Sequence, residues 1–575
     1  MPRVAVVGAG QSGVQLGLGL LASGYEVTLV SNRTAEEIAT GAVLSSQCMF
    51  ESALETERAL DLDRWADECP PVDGISLALT APDGSKALDW SARLDWAARS
   101  VDQRLKIPAW MEEFSRRGGE LEVREADVER LERCAGSHDL VVVATGKGAL
   151  ANLFGRDTEK SPYDSPQRAL ALTYVTGMEP RPEHSAVCFN LSPGVGEYFV
   201  FPALTTSGPC EIMVFEGVPG GPMDCWADVR SPSEHLARSL ELLERFFPWE
   251  AARCRDVALT DPNGVLTGRL TPTVRRPVGT LPSGAAVLGM ADAVVLNDPI
   301  TGQGSNNAAK SAEIYLAAIV EQERDFDERF MQRTFDRYWR GYAQWVVSWT
   351  NTLLVPPQPH VLRLLEAAQE LPALAETIVN GFDDPRVFYP WWFDPTEADR
   401  LIAAKREQGS EQVDPRELRR ALGQFATGVT VVTTRDEDGR RVGVTANSFT
   451  SLSLDPPLVL WCLDGGAASL PAFRAASHFA VNVLSAGQHY LSRQFATPAD
   501  DKFAGVECES GPGDVPLLPG ALARFVCRTT RHVEAGDHVI VIGEVERFES
   551  FPGEPLVFHS GAYRVATRHP ELDVL

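Results

Sequence analysis

The chain has 575 residues, of which 44% are hydrophobic and 23% charged, and its formal net charge at pH 7 is −26. A chain of this length exceeds what one hydrophobic core can organise, so two to four domains are expected. The acidic balance argues against a nucleic-acid partner, because such a surface needs a basic footprint. The ten cysteines are scattered without CxxC spacing, which indicates neither a zinc site nor a disulfide framework.

The start of the chain and its hydropathy bear on its location. The first residues, MPRVAVVGAG, have the pattern of a strand and not that of a charged region followed by an apolar leader. No apolar run reaches the roughly 20 residues that a membrane-spanning helix needs. We therefore expect a cytoplasmic enzyme with no membrane partner.

Residues 1–150 alternate strand and helix patterns, as in a βαβ fold. The stretch VAVVGAGQSG at 4–13 places Gly8, Gly10 and Gly13 between a strand and a helix pattern. Glycines with this spacing let the backbone approach a pyrophosphate, which then lies on the helix N-terminus. The motif predicts a dinucleotide site without saying which dinucleotide.

The end of the second predicted strand, YEVTLV at 25–30, is where an acidic residue normally binds ribose hydroxyls. Here the residues are Ser31, Asn32 and Arg33, so that carboxylate is absent. An arginine at this place can accommodate the 2′-phosphate of NADP. Taken alone, this end of the strand favours a pyridine nucleotide, with a solvated arginine as the simpler alternative.

Three later regions have different patterns. Residues 170–290 are rich in strands separated by Pro/Gly turns, which predicts a mostly antiparallel sheet inserted into the first domain, and residues 305–375 have helical apolar spacing. After a charged stretch at 396–414, short strands and turns predict a compact β-barrel. The expected domains are an α/β dinucleotide-binding domain at 1–395, with its inserted sheet at about 160–285 and helices at about 305–395, and a barrel at 415–575 joined by a linker or helix at 396–414.

The segment VLGMADAVVLNDPITGQGSNNAAKSAE at 287–313 resembles the second flavin motif of FAD-dependent aromatic monooxygenases. In that family an aspartate holds the ribityl chain, and a proline turn and glycine loop lead to a helix beside the isoalloxazine. The matching residues are Asp292, Pro299, Gly302, Gly304 and Asn306, while Ala291 replaces the usual glycine. The resemblance implies that the cofactor of the first domain is FAD.

Two further segments agree with this resemblance. HDLVVVATG at 138–146 resembles the strand placed against the FAD pyrophosphate, and DQRLKIPAWMEEFSRRGGELEV at 102–123 resembles a helix that carries a flavin-contacting glutamine. The cofactor contacts implied in this part of the chain are Arg33, Gln103, Val128 and Gly146.

The segment TGAVLSSQCMFESALETERALDLDRW at 40–65 resembles the oxygenase component of styrene and indole monooxygenases. That family epoxidises aryl alkenes with reduced FAD supplied by a separate reductase. The resemblance places Ser45, Ser46, Gln47 and Met49 near the isoalloxazine and the substrate.

The segment FATGVTVVTTRDEDGRRVGVTANSFTSLSLDPPLVLWCL at 425–463 resembles the short-chain flavin reductases that partner two-component monooxygenases. Their fold is a split barrel, usually a homodimer with flavin at the subunit interface, and NAD(P)H binds in a groove of the barrel. His538, beside Asp537, resembles the residue next to the nicotinamide. The implied flavin contacts are Thr445, Ala446, Asn447, Ser448, Ser451, Asn482, Lys502 and Phe503.

Together the resemblances imply a fused enzyme that uses FAD and NADH, with NADPH as an alternative, and no metal. The barrel would reduce FAD, and the first domain would use FADH₂ and O₂, through a flavin C4a-hydroperoxide, to epoxidise styrene, indole or a similar substrate. The cofactor carries this chemistry, so an apolar pocket is expected and an acid–base dyad is not. A fused aromatic hydroxylase or N-oxygenase, an NAD(P)H:flavin oxidoreductase that makes mainly hydrogen peroxide, and an added oxygenase subunit stay open.

Overall fold

The computed structural model describes residues 2–146, 148–322, 324–409, 421–497, 499 and 501–566. The chain divides into two compact units, Met1–Glu411 and Gln412–Leu575. Residues 410–414 of the expected linker, and residues 415–420 and 567–575 of the expected barrel, lie outside the described residues. No helix in the described ranges is long and apolar enough to cross a membrane.

The strands of the first unit lie mostly in two main sheets. They are β1 (Arg3–Val7), β2 (Glu26–Ser31), β3 (Pro71–Thr80), β4 (Lys86–Arg99), β5 (Glu120–Val123), β6 (Leu140–Val143), β7 (Ala169–Thr176), β8 (Ala186–Ser192), β9 (Gly196–Thr205), β10 (Gly208–Gly217), β11 (Ala258–Leu259), β12 (Val265–Gly268), β13 (Thr273–Val274), β14 (Val278–Thr280), β15 (Ala286–Gly289) and β16 (Val295–Leu296).

The α-helices of the first unit surround these sheets. They are α1 (Gln11–Ala22), α2 (Ala35–Ala39), α3 (Glu51–Arg58), α4 (Gln103–Arg116), α5 (Val128–Ala135), α6 (Pro232–Phe246), α7 (Pro248–Ala251), α8 (Gly304–Gln322), α9 (Glu328–Tyr338), α10 (Gln344–Leu353), α11 (Pro359–Glu370), α12 (Pro372–Asn380) and α13 (Pro395–Gly409). Single turns of tighter helix occur at Ala149–Leu153, Ala291–Ala293, Pro299–Thr301 and Pro385–Phe388, and a π-helical turn occurs at Trp339–Ala343.

The first sheet has the order β14-β15-β6-β1-β2-β5. Its central strand β1 pairs in parallel with β2 and β6. Residues 4–7 of that strand are fully buried, which is the continuous apolar run that a parallel sheet covered on both faces requires. This sheet confirms the βαβ pattern for the part of the first 150 residues that contains β1, β2, β5 and β6.

The second sheet has the order β11-β7-β10-β9-β8-β3-β4, with β12 also paired to β7. Its pairs are antiparallel except for β3 with β8, which are parallel. The mostly antiparallel character was predicted, but the membership was not, because β3 and β4 come from residues 71–99, within the stretch assigned to the βαβ pattern. Alternation in LDWSARLDW, typical of a half-covered sheet, was the available signal. The prediction for residues 170–290 was also too wide, since β14 and β15 return to the first sheet.

The described residues of the second unit form strands and the short α-helices listed with them here. They are β17 (Thr427–Gly428), β18 (Thr430–Arg435), β19 (Arg441–Ala446), β20 (Thr450–Leu454), β21 (Pro457–Asp464), α14 (Leu470–Ala475), β22 (His478–Val483), α15 (His489–Ala496), β23 (Glu509–Ser510), β24 (Pro516–Leu517), β25 (Ala523–Ala535), β26 (His538–Ser550), β27 (Leu556–His559) and β28 (Ala562–Val565). The main sheet has the order β19-β18-β22-β25-β26-β21-β20, and within the described residues it does not close into a barrel.

Candidate functional site

The first unit contains a cavity of about 890 Å³. It lies where residues following β1, β2 and β6 meet the first residues of α1 and α8, at the carboxyl edge of the parallel sheet. Ligands of open α/β sheets bind at this edge. The structure brings twelve of the predicted residues to its walls: Gly8, Gly10, Arg33, Ser45, Ser46, Gln47, Gln103, Gly146, Asp292, Pro299, Gly302 and Gly304.

The glycine turn after β1 has the close packing that its motif predicts. Gly8 has φ of +117°, and a Cβ on Gly13 would lie 1.9 Å from the carbonyl oxygen of Gly8. A Cβ on Gly10 would meet nothing within 4 Å, so the cavity is open above this residue. The first intrahelical bond of α1 runs from Val14 N–H to Gly10 O, 3.1 Å, and the first turn carries no acidic side chain. The preceding N–H groups are therefore available to an anion.

A second helix start faces the same cavity. Gly302 adopts the left-handed conformation with φ of +65°, and neither Gly302 nor Gly304 has an atom within 4 Å of its Cβ position. Helix α8 begins at Gly304 and has no acidic side chain in its first turn. The loop before it begins at Asp298, whose Oδ1 accepts the N–H of Ile300 at 3.2 Å. Two positive helix ends thus converge on one cavity.

The segment around Asp292 closes the cavity on the side of β6. A Cβ on Gly146 would lie 2.4 Å from the carbonyl oxygen of Asp292, so only glycine allows this approach. Ala291 has φ of +50°, in the left-handed region. This conformation explains why glycine is usual at this position, since an alanine there is strained.

The far end of the cavity is apolar and was not assigned residue by residue from the sequence. Strands β8, β9 and β10 and the segment that follows α12 line it with side chains that carry no charge: Val187, Phe189, Phe199, Phe201, Val214 and Phe382. The ring centroids of Phe189 and Phe199 are 4.7 Å apart, and those of Phe189 and Phe382 are 5.2 Å apart. The period-two alternation along the strands was the available signal. An apolar pocket was predicted, and this end of the cavity has that character.

Met49, assigned to the substrate pocket from the sequence, does not line the cavity. Its side chain is fully buried, and its N–H donates to the carbonyl oxygen of Arg99 at 2.7 Å. The neighbouring residues Cys48 and Phe50 line the cavity instead. Within residues 44–50 all the others line the cavity, and the Met49 side chain packs in a buried cluster with Ala53, Leu54 and Ala309.

Three predicted cofactor residues also lie away from the walls. Gly13 lies beneath the glycine turn, and Val128 packs against the core around the first sheet. Asn306 is buried: its Nδ2 donates to Cys48 O at 2.8 Å, and its Oδ1 accepts Phe50 N–H at 2.9 Å. Asn306 therefore ties the start of α8 to the segment that lines the pocket.

In the second unit, several predicted flavin contacts are occupied by internal bonds. Asn482 is fully buried, and its side chain donates to Val431 O at 3.1 Å and accepts Leu518 N–H at 2.8 Å. The hydroxyl of Thr445 donates to Ser492 O at 2.7 Å. Asn482 thus joins β22 to β18 and to Leu518, and Thr445 joins β19 to the helix α15.

The remaining predicted residues of this unit lie at different depths. Phe503 is in the core, stacked edge-on against Phe495 with centroids 4.8 Å apart, and Ala446 is also buried. Ser448 Oγ accepts the N–H of Cys462 at 2.9 Å. Lys502 Nζ donates to Phe495 O at 2.9 Å, and partial burial lowers the pKa of this lysine.

Two of the predicted residues are exposed, and Thr445, Ser448, Lys502 and His538 are partly exposed. Asn447 and Ser451 are exposed on either side of the turn between β19 and β20. His538 is 43% exposed, and its Nδ1 lies 2.7 Å from Oδ1 of Asp537. The side chains of Ala446, Asn482 and Phe503, by contrast, are buried in the core.

The residues of the first unit fit a dinucleotide. The positions above Gly10, Gly302 and Gly304 are open, and the donors facing them are backbone N–H groups at helix starts, which suits a pyrophosphate and an electron-rich ring. All ten cysteines are free, and no cluster of three metal-ligating side chains occurs in the described part of the chain.

Comparison with known proteins gives two family matches. Residues 146–253 match the profile described as "Styrene monooxygenase A putative substrate binding domain", and residues 422–567 match "Flavin reductase like domain". Over 394 residues the chain is 29% identical to styrene monooxygenase StyA of Pseudomonas fluorescens. The matched region covers 67% of this chain and 93% of that protein.

The second unit has closer relatives. It is 49% identical over 148 residues to the FMN reductase (NADH) SmoA of Agrobacterium fabrum, covering 26% of this chain and 84% of that protein. A solved structure of the Streptomyces globisporus C-1027 NADH:FAD oxidoreductase SgcE6, with NAD and FAD fragments, is 42% identical and covers 28% of this chain and 99% of that one, with a TM-score of 0.26. The second unit therefore belongs to the flavin reductase family, and the chain joins it to a first unit that matches styrene monooxygenase StyA, the arrangement of a fused two-component monooxygenase.

Proposed function

We propose that the chain is a self-contained flavin-dependent monooxygenase that epoxidises an aryl alkene such as styrene or indole. Residues 1–395 form the oxygenase, residues 415–575 form the NAD(P)H:FAD reductase, and residues 396–414 join them. The observation that carries the proposal is that a single cavity contains two features. One end has the glycine turns before α1 and α8, here called the cradle, and the other end is lined by uncharged, mostly aromatic side chains.

The residues of the cradle suit FAD. The turn around Gly10 would hold the pyrophosphate on the start of α1, and Asp292 would hold the ribityl chain. Arg33 and Gln103 also line the cavity and would contact the cofactor. The glycines before α8 would lie against the isoalloxazine, and reduced flavin bound there would supply the electrons that activate dioxygen.

The side chains at the apolar end determine the shape of the substrate pocket and keep water out of it. The aromatic side chains around Phe199 exclude water and offer no charge to a polar substrate. Ser45, Ser46 and Gln47 lie on the same cavity wall, and the Nε2 of Gln47 donates to Val101 O. A planar, apolar, electron-rich substrate fits this end best, and no acid–base pair is needed to activate it.

The second unit would reduce the flavin. His538, with Asp537 beside it, would face the nicotinamide, and the exposed Asn447 and Ser451 would contact the flavin. A second copy of the unit would complete this site, as in a homodimer. The 49% identity to an NADH-dependent FMN reductase supports the reaction, with FAD as the flavin in this chain.

Product analysis tests the proposal. The full chain is mixed with NADH, FAD and O₂, and either styrene or indole is added. Styrene oxide, or indigo from indole, is the expected product. A ring-hydroxylated or N-oxygenated product would replace the epoxidase with the hydroxylase or N-oxygenase alternative. Hydrogen peroxide alone, with substrate unchanged, would identify a flavin oxidoreductase and contradict the proposal.

A further inference from the structure

A cluster of charged side chains is buried just beyond the apolar end of the cavity. Two of them, Glu197 on β9 and Glu216 on β10, are directly opposite each other in the strand register. With a period of two, they share a sheet face with Phe199 and Val214, which line the cavity. The full cluster consists of Arg168, Glu197, Glu216 and Asp298, and Asp298 directly precedes the cavity-lining residues 299–302.

The cluster contains three carboxyl groups and one guanidinium. Arg168 donates to both oxygens of Glu197, at 2.6 and 2.9 Å, so its charge is matched by that residue. Glu216 is 0% exposed and Asp298 is 1% exposed, and their carboxyl groups contact each other. Tyr163, near Asp298 and Arg168, donates its hydroxyl to Asn351 O at 3.3 Å, away from the two acids.

Three of the four carboxyl oxygens of these two acids accept no hydrogen bond from a described residue, whereas Oδ1 of Asp298 accepts the N–H of Ile300. Among the described residues, no N–H or O–H group donates to either oxygen of Glu216 or to Oδ2 of Asp298. Two buried carboxylates in contact, with neither charge compensated, would be strongly unfavourable. One proton between them removes this repulsion and supplies the missing hydrogen bond.

We propose that Glu216 is a positioning residue that carries this proton and shares it with Asp298, and that the resulting bond fixes the loop at 298–304 beside the flavin. The connection to flavin rests on the proposed function. Burial raises the pKa of Glu216 well above its ordinary range and raises that of Asp298 to about 6, in agreement with one retained proton.

The loop depends on Asp298 at its first residue. Oδ1 of Asp298 caps the N–H of Ile300, and the loop then reaches Gly302 and the start of α8. Loss of the shared proton would set two carboxylates against each other and push the loop from its place. Flavin binding should therefore weaken as the pH rises through the pKa of the pair. The folded state should lose stability over the same rise, because the folded pair holds a proton that an ordinary glutamate in the unfolded chain has already released.

Single substitutions, each made in the full-length chain, distinguish an effect of the shared proton from an effect of side-chain packing. Glu216→Gln keeps a donor toward Asp298 without a titrating group, whereas Glu216→Ala removes the donor. Glu211→Gln and Glu211→Ala are matched controls, since Glu211 is on the same strand but on the opposite face, among Arg181, Glu250 and Arg253. Burial raises the pKa of Glu211 to about 7, so the carboxyl measurement is made at pH 8, where Glu211 is mostly ionised.

The first measurement needs no flavin. Infrared spectroscopy at pH 8 should show the C=O stretch of a protonated buried carboxyl in the parent chain and in Glu211→Gln, and the band should be absent in Glu216→Gln. The unfolding temperature of the parent should fall relative to Glu216→Gln as pH rises from 5 to 8, because the parent alone must keep a proton there. A band that survives Glu216→Gln would overturn the proposal.

The second measurement is FAD titration at neutral pH. Any contribution from the second unit is the same in all variants, so differences belong to the first unit. We expect Glu216→Gln to bind within about twofold of the parent and Glu216→Ala about tenfold more weakly, with Glu211→Ala unchanged. Parent-like binding by Glu216→Ala would remove the loop role. If no protein shows FAD binding in the first unit while the infrared band behaves as expected, the proposed function fails and the shared proton stands.

Discussion

The two units differ in how their predicted flavin residues are placed. In the first unit, twelve predicted residues line one cavity inside a single chain. In the second unit, Asn482 and Phe503 lie in the core, whereas Asn447 and Ser451 are exposed. A site enclosed by one chain has all its walls in that chain's fold. The buried residues of the second unit are held inside its own fold, so only its exposed residues can be reached by a ligand or by another chain.

The largest expected effect comes from separating the units. A chain ending at Glu411 keeps the cavity and loses the reductase. With NADH, FAD and substrate it should form no product above background, and chemically reduced FAD should restore product formation. NADH-driven product from a reductase-free preparation of this fragment would break the division of labour between the units.

Two glycine substitutions distinguish the turn from the ligand site. Gly13→Ala places a Cβ 1.9 Å from the Gly8 carbonyl oxygen, so it should lower the free energy of unfolding by about 1–3 kcal/mol. The same substitution should also weaken FAD binding. Gly10→Ala meets nothing within 4 Å, so it should unfold at the parent temperature and still bind FAD more weakly. Thermal unfolding and FAD titration check both. Unchanged FAD binding in Gly10→Ala would place the cofactor elsewhere.

A larger side chain at the apolar end of the cavity should lower product formation without lowering the rate of flavin reduction by NADH. Val214→Phe narrows the cavity on β10, and product formation should fall roughly tenfold while NADH oxidation continues and more hydrogen peroxide forms. Met213→Leu, on the other face of the same strand, is the control and should leave the product yield unchanged. Product and peroxide are measured in the same reaction. A product yield in Val214→Phe equal to that of the parent would show that the substrate does not bind at this end of the cavity.

An effect of similar size is expected at the end of β2, where the usual ribose-binding carboxylate is missing. Asn32 lines the cavity and is exposed. Asn32→Glu should tighten FAD binding by about 1.5 kcal/mol, roughly tenfold, because a charged acceptor binds the ribose hydroxyls more strongly. Asn32→Gln, which adds length without charge, should not. Equal affinity of the two variants would show that the weak ribose contact does not set how readily flavin leaves.

The smallest effect concerns Ala291. Its φ of +50° is left-handed, and glycine adopts this conformation without the Cβ clash. Ala291→Gly should raise the unfolding free energy by about 0.5–1 kcal/mol after the larger chain entropy of glycine is counted. Urea unfolding measures the difference. A destabilised variant would mean that the alanine methyl contributes packing that outweighs the strain.

The sequence predicted the parts of the site that depend on backbone geometry. The spacing of Gly8, Gly10 and Gly13 demands a tight turn before a helix, and the structure has it. It did not predict the register of Cys48–Phe50, because an extended segment exposes either face until a partner is known, and the Met49 backbone pairs with Arg99. The aromatic end was also missed in detail, because its residues come from strands whose pairing is set by tertiary contacts.

Asn482 shows the limit in the second unit. A buried asparagine in a strand and a flavin-binding asparagine look alike in sequence, and only the observed bonds to Val431 and Leu518 identify its role here. Likewise, the residues that neighbour Glu216 in the sequence give no sign that a second acidic side chain contacts it. Asp298 is distant in the chain and reaches it only through the fold.

The two helix starts that converge on the cavity also set how the cofactor arrives. The chain has a formal net charge of −26, so its overall field repels an anionic nucleotide, while the first turns of α1 and α8 carry no acidic side chain. The attraction is therefore short-ranged and the repulsion long-ranged. Added salt screens distant charges first, since the Debye length falls from roughly 30 Å at 0.01 M to about 10 Å at 0.1 M ionic strength. Flavin should accordingly associate faster in moderate salt than in dilute buffer, the reverse of the usual behaviour of a phosphate-binding protein.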